Sequence, residues 1–158
     1  MTPEPRIVIV TGGSRGLGAG LVSSFLDHGD TVATCSRSAT ANTDAWSSDP
    51  ALAERFYYEP VDLSDPAACE TFVRNVIDRF GRIDVLVNNA GVAREGVLAL
   101  VRDDDIDQVI DLNLRATIAI TRHVSRRMLR QHSGRIINIS SIVGLSGYRG
   151  LSVYSATK

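Results

Sequence analysis

The chain has 158 residues, 44% hydrophobic, 22% charged and 6% aromatic, which fits one domain with a sizeable core and excludes a disordered segment. Seventeen basic against eighteen acidic side chains leave a formal charge of −1, which excludes a bulk basic field for nucleic acid or anionic lipid. The two cysteines, Cys35 and Cys69, lie far apart without a histidine at ligand spacing, so neither a disulfide framework nor a metal site is expected.

Short apolar runs alternate with longer amphipathic ones, the pattern of βα units around a parallel sheet. Ile7–Val10 is continuous and β-branched, as a strand buried on both faces requires. A glycine-rich turn follows, then a helix over 18–28 stopped by Gly29. Strands are expected over 31–35 and 55–61, separated by a polar stretch, 36–50, that reads as a surface loop with some helix. Ser64-Asp65-Pro66 starts a helix whose apolar residues Phe72, Val73, Val76, Ile77 and Phe80 recur at helical spacing up to Gly81. Val85–Val87 is the fourth strand, and Asp103–Asp105 opens the next helix with the negative charge its dipole favours. A longer helix is expected over 114–131, a fifth strand over 136–139, and a last helix from Ser152. No run reaches about 18 uninterrupted apolar residues, so no membrane span is expected. No leader peptide is legible, and a reducing cytoplasm is the default setting.

Residues 11–18 read T-G-G-S-R-G-L-G, between the first strand and the first helix. Gly12, Ser14, Arg15, Gly16, Leu17 and Gly18 there can turn the backbone sharply and bring a pyrophosphate to the free amides of a helix N-terminus. The spacing departs from the usual G-x-G-x-x-G. An acid about 20 residues further on selects the 2′-hydroxyl of NAD in such folds. Here the second strand ends in Cys35-Ser36-Arg37, with no acid at its tip. Arg15 and Arg37 present guanidinium forks that match a 2′-phosphate, which favours NADP(H). Tyr154 and Lys158 stand at i and i+4, one helical turn apart or about 6 Å along the axis. A cation beside a phenol favours phenolate, so such a tyrosine could exchange a proton with an alcohol or carbonyl oxygen. Ser140-Ser141 leaves the fifth strand at the end where open α/β sheets place their ligands.

These residues resemble, in order, the motifs of the short-chain dehydrogenase/reductase family. They comprise the glycine turn, Asp62-Leu63 after the third strand, Asn88-Asn89-Ala90-Gly91 after the fourth, Asn113, Ser141, and Tyr154 with Lys158 as Y-x-x-x-K. Within the family, Gly91–Asn113 and Gly134–Ile137 are most similar to 3-oxoacyl-acyl-carrier-protein reductases. The resemblance implies an α/β, Rossmann-type doubly wound parallel sheet in three αβα layers. It further implies NADPH-dependent reduction of a carbonyl, probing a 3-oxoacyl thioester first and another ketone second. Ser141 would hydrogen-bond the substrate carbonyl, Tyr154 would donate the proton, Lys158 would hold the nicotinamide ribose, and Asn113 would anchor a proton-passing water. Asp62 and Leu63 would meet the adenine, and Asn89, Ala90 and Gly91 would line the adenosine ribose. The family continues past Y-x-x-x-K. Residues 1–158 are therefore expected to be the N-terminal part of a longer single-domain reductase, truncated after the fifth strand, with the substrate-selecting residues beyond it. A homo-oligomer, tetramer or dimer, is expected of the longer form. A non-catalytic nucleotide-binding module and a sugar-nucleotide epimerase remain the competing readings; the first has no need to keep Ser141, Tyr154 and Lys158 together, and epimerases space the first glycines differently.

Other residues carry simpler expectations. His28, His123 and His132 lack partners in sequence and read as surface or packing residues. Cys35 and Cys69 read as small apolar fillers, and Trp46 as a local packing residue. Arg122, Arg126, Arg127 and Arg130 give the long helix a basic side, read as a solvated face or as a docking patch for an acidic carrier protein.

Overall fold

Strong β-branched runs take the middle of the sheet, and the weaker ones take its edges. The computed structural model describes residues 5–158. Its strands are β1 (Ile7–Thr11), β2 (Thr31–Ser36), β3 (Phe56–Pro60), β4 (Val85–Asn88) and β5 (Arg135–Asn138), all parallel in the order β3-β2-β1-β4-β5. The register sets Val8 between Val32 on one side and Val85 on the other. All of β1 is buried.

Alternation along the strands divides the core in two. Ile7, Ile9, Ala33 and Leu86 point to a face covered by α3 (Pro66–Phe80) and α5 (Ala116–Gln131), through Phe72, Val76, Ile120 and Val124. Val8, Val10, Val32 and Val87 point to the other, covered by α1 (Gly16–Asp27) and α2 (Ala41–Ser48), through Val22, Leu26 and Trp46. The result is the expected three-layer αβα sandwich. The chain leaves β1 toward β2 and β3, then crosses back to β4 and β5. That reversal opens a crevice beyond the carboxyl ends of β1 and β4, where such sheets bind ligands.

Several boundaries differ from expectation for local reasons. Helix α1 begins two residues early, at Gly16. The polar stretch after β2 holds the eight-residue α2, because Thr43 Oγ1 accepts from the Thr40 amide at 2.8 Å and so caps the first turn. The helices expected from Asp103 and from Leu114 are one run, with α4 (Asp103–Ile110) joined to α5 by a π-helical turn, Asp111–Arg115. Strand β5 starts one residue early, at Arg135, and Ile139 follows it with its amide on Asn88 O at 2.9 Å.

Two expected caps are present: Asp65 accepts from the Ala67 amide at 2.9 Å, and Gly81 ends α3 with φ 77°. Trp46 meets Phe56 with ring centroids 5.4 Å apart. Burial pushes the Cys35 thiol up to about 12 and the Cys69 thiol up to about 11, as befits inert core fillers.

His123, on the α5 face toward α3, is buried, and its Nε2 is without a partner among the described residues. Burial lowers its pKa from the usual 6.5, opposed by Glu70 of α3 and assisted by Arg122 and Arg126. The unfolded chain therefore takes up this proton first as pH falls through 6.5, and stability declines from there until the folded imidazole is protonated as well. Urea midpoints measured at pH 7.5 and 5.5 should fall more for the native sequence than for His123→Leu; equal falls would refute the assignment.

Candidate active site

The glycine turn is fixed by hydroxyls and amides from neighbouring strands. Thr34 Oγ1 donates to Val10 O at 2.6 Å and accepts from the Gly13 amide at 3.0 Å. Thr11 Oγ1, also buried, accepts from the Asn89 and Ala90 amides, both at 3.0 Å. Asn89 Nδ2 returns the contact, donating to Thr11 O at 2.9 Å and Gly12 O at 3.3 Å. Two glycines are required here. Gly12 has φ 70° and stands so near Ala90 that a Cβ would come within 3.0 Å of its Cα. A Cβ on Gly18 would strike Gly12 O and come within 2.6 Å of Asn89 Nδ2.

Above this turn runs a cleft of about 520 Å³. Its lining brings together Gly12, Ser14, Arg15, Gly16, Leu17, Gly18, Arg37, Asp62, Leu63, Asn89, Ala90 and Gly91 of the sequence-predicted cofactor residues, and leaves Tyr154 and Lys158 outside it. Arg15 and Arg37 are exposed, and neither side chain has an ion-pair or hydrogen-bond partner among the described residues. Asp62 Oδ1 accepts from the Ser64 amide at 3.0 Å, while Leu63 is buried. Asn89 lines the cleft with its amide nitrogen already bonded to the turn.

At the inner end, Gly91 marks the meeting point of two further predicted residues. A Cβ built on it would lie 3.2 Å from Asn113 Oδ1 and 3.2 Å from Lys158 Nζ. Asn113 is buried in the π-helical turn, where it exchanges bonds with Val92: it accepts from Val92 N at 2.8 Å and donates to Val92 O at 2.9 Å. The same nitrogen donates to Thr157 Oγ1 at 3.0 Å, on α6 (Ser152–Thr157). Lys158 Nζ donates to Ile139 O at 3.0 Å, and burial lowers its pKa from 10.5.

Tyr154 is half-buried on α6, and its hydroxyl makes no protein hydrogen bond among the described residues. Ser141 follows β5, with Oγ accepting from the Val143 amide at 3.4 Å. Ser140 Oγ donates to Lys158 O at 2.5 Å, the structural bond expected of it.

Sequence reasoning missed several participants. Ser38, Thr40, Arg94 and Gln108 also line the cleft, and Thr157 supports Asn113. Arg94 donates to Gln108 Oε1 at 2.5 Å and pairs with Asp105 at 3.3 Å. A threonine or arginine outside a named motif carries no signal before its neighbours in space are known.

A parallel sheet reversed between β1 and β4, with a glycine turn at the reversal, is the architecture of nucleotide-binding α/β folds. The family model "short chain dehydrogenase" matches residues 6–158, and the chain belongs to that family. It is similar to the 3-oxoacyl-acyl-carrier-protein reductase FabG of Salmonella typhimurium, at 34% identity over 158 residues, covering 100% of this chain and 64% of that one. It is also similar to the same-named reductase of Chlamydia pneumoniae, at 36% identity over 151 residues, covering 96% and 61%. Among solved structures, a short-chain dehydrogenase from Streptomyces avermitilis superposes with a TM-score of 0.92 at 31% identity, covering 100% of this chain and 57% of that one. ElxO with NADP bound superposes with a TM-score of 0.86 at 30% identity, covering 97% and 62%. The chain thus spans 64% of the length of the Salmonella reductase. Among the described residues no helix is long and apolar enough to cross a membrane, and no cluster of metal-ligating side chains occurs.

Thr11 supplies the first testable consequence. Thr11→Val keeps the shape but strands two amides, each costing about 1–3 kcal/mol when buried and unpaired. Chemical denaturation should show a loss of about 2 kcal/mol or more, with Thr11→Ser close to the native sequence. A neutral valine would refute the role.

Proposed function

We propose that the protein reduces a ketone to an alcohol with NADPH, with a 3-oxoacyl thioester on an acyl carrier protein as the substrate class. The observation that carries this reading is one cleft lined by Arg15 and Arg37 and by Gly91, against which Asn113 and Lys158 stand so close that a Cβ on Gly91 would lie 3.2 Å from each. The cleft fits a nicotinamide dinucleotide. Gly12, Gly16 and Gly18 line it where α1 begins, so phosphates could lie on the amides there. The two unpaired guanidiniums match the extra phosphate of NADP.

Bound NADPH would supply a hydride to the carbonyl carbon. Ser141 Oγ would donate a hydrogen bond to the substrate oxygen and fix its position. Tyr154 would deliver its hydroxyl proton to that oxygen as negative charge builds there. Lys158, kept half-buried and bonded to a carbonyl, would hold the ribose beside Gly91 and stabilise the resulting phenolate. Asn113 would hold a water on the proton's return path while keeping α6 against the π-helical turn. Asp62 and Leu63 would meet the adenine, and Asn89 to Gly91 the adenosine ribose.

The names of the Salmonella and Chlamydia relatives support the acyl-carrier substrate. The basic side of α5 would then receive the acidic carrier with Arg122, Arg126 and Arg130. Arg127 is already engaged by Gln131 and the Gly81 carbonyl. A cytoplasmic homo-oligomer completes the proposal.

Two measurements test it in the intact protein. The ratio of kcat/KM for NADPH to that for NADH should be about tenfold or more, since two charge-assisted contacts separate the cofactors. Arg37→Asp should reverse it, and an NADH preference in the native protein would overturn the cofactor assignment. Tyr154→Phe should lower kcat by about 10²–10⁴ while cofactor binding persists. A variant within tenfold of native activity would remove Tyr154 from the mechanism.

A further inference from the structure

Arg15 and Arg37 belong to different segments, and beyond the strands those segments are joined at the Ser14 carbonyl. Thr40 Oγ1 donates to Ser14 O at 2.8 Å, with Asn42 Nδ2 reaching the same oxygen at 3.5 Å. Ser14 immediately precedes Arg15. Thr40 ends the short loop that begins at Ser36 and carries Arg37. At its other end this loop is closed by Ser36 Oγ donating to Ser38 O at 2.8 Å, beside Tyr58 OH at 3.2 Å. Ser14, Arg37, Ser38 and Thr40 all line the cleft.

We infer that Thr40 is a specificity-positioning residue: its bond to Ser14 sets the separation of Arg15 and Arg37 and so forms the pocket for the 2′-phosphate of NADP. This rests on the NADP reading above. The argument is one of independent support. The glycine turn, on which the pyrophosphate would lie, is held over Thr11–Gly13 by Thr34, Thr11 and Asn89, and Thr40 reaches it only at the Ser14 carbonyl, beside Arg15. Arg37 has no such second anchor. Its guanidinium has no protein partner among the described residues, so only the backbone on either side limits where it reaches. Loss of the Thr40 hydroxyl would leave that end of the loop tied to Ser14 only through the longer Asn42 contact at 3.5 Å, and so widen the spread of Arg37 relative to Arg15. Two cations that must close on one phosphate would then be ordered at the moment of binding, and affinity falls by that cost. A ligand without the 2′-phosphate would not register the change.

The test compares 2′,5′-ADP with 5′-ADP by calorimetry in the intact protein, for the native sequence, Thr40→Val and Thr40→Ser. Thr40→Val keeps the branched shape and removes the hydroxyl. It should weaken 2′,5′-ADP by about three- to tenfold, the range of one net hydrogen bond, and change 5′-ADP by less than about twofold. Thr40→Ser retains the hydroxyl and should bind both ligands within about twofold of native. Unchanged 5′-ADP binding also shows that the valine variant is folded. Equal weakening of both ligands by Thr40→Val, no weakening of either, or a serine variant as poor as the valine, would overturn the inference while leaving the NADP reading intact. A native protein that does not distinguish the two ligands would overturn that reading, and this inference with it.

Discussion

The segment Asn88–Val92, leaving β4 at the reversal of the sheet, is bonded to the glycine turn, α5, β5 and the π-helical turn. Asn88 Nδ2 donates to Thr121 Oγ1 of α5 at 2.9 Å and to Asn138 Oδ1 of β5 at 2.8 Å. Asn89 holds the carbonyls of the glycine turn, and the Asn89 and Ala90 amides return to Thr11. Gly91 has no side chain, so Asn113 and Lys158 can close in on it. Val92 presents both backbone groups to Asn113. An extended backbone segment has free donors and acceptors on both sides, and burying it demands a partner for each. The site is what results when those partners are drawn from β1, α5, β5 and the π-helical turn at once, with α6 tied in through Asn113.

The π-helical turn follows from the same demand. Asn113 needs its amide directed at Val92 and Thr157, and it lies in the middle of what would otherwise be one regular helix. The extra residue of a π turn changes the direction of the side chain relative to a regular α-helix. Thr117 Oγ1 donates to Asn113 O at 2.8 Å and so satisfies a carbonyl whose ladder is locally altered. A buried amide with three bonds is worth keeping only if all of them are made, since a half-satisfied one is worse than an apolar residue. This links the helical defect to the chemistry: the residue that disturbs α4 and α5 is also the one that ties α6 to the cleft.

Legibility in the sequence followed the range of the interactions. β1 and β4 could be read from their own residues because burial on both faces demands unbroken apolar runs. The start of α3 at Asp65-Pro66 and its end at Gly81 could be read because caps act within a few residues. Every cofactor residue placed in the cleft belonged to a motif at the end of a strand. Asp111–Arg115 could not be read as a π turn, because its cause is a contact with Val92, about twenty residues away in sequence but adjacent in the fold. Thr40 was hidden in a polar stretch that looked like a loop, and its partner, the Ser14 carbonyl, is a backbone atom that no composition reveals. His123 read as a packing residue and is one, though the cost of its unpartnered nitrogen appears only once α3 is laid beside it.

The two ends of the cleft are supported in different ways, and this bears on what each can do. The end at the glycine turn rests on the sheet itself: Thr11 and Thr34 are buried strand residues, and their hydroxyls reach the turn over one or two residues of chain. The end at Gly91 adjoins α6, which packs against α4. The hydrogen bonds there are Asn113 to Thr157, Ser140 to Lys158 O, and Lys158 Nζ to Ile139 O. Two of the three converge on Lys158. Its ammonium faces a neutral carbonyl, with no carboxylate partner among the described residues to cancel its charge. In a half-buried position such a charge acts on nearby oxygens more strongly than in water. The bond to Ile139 thus fixes where the cation sits and leaves its field available to a phenol one helical turn away.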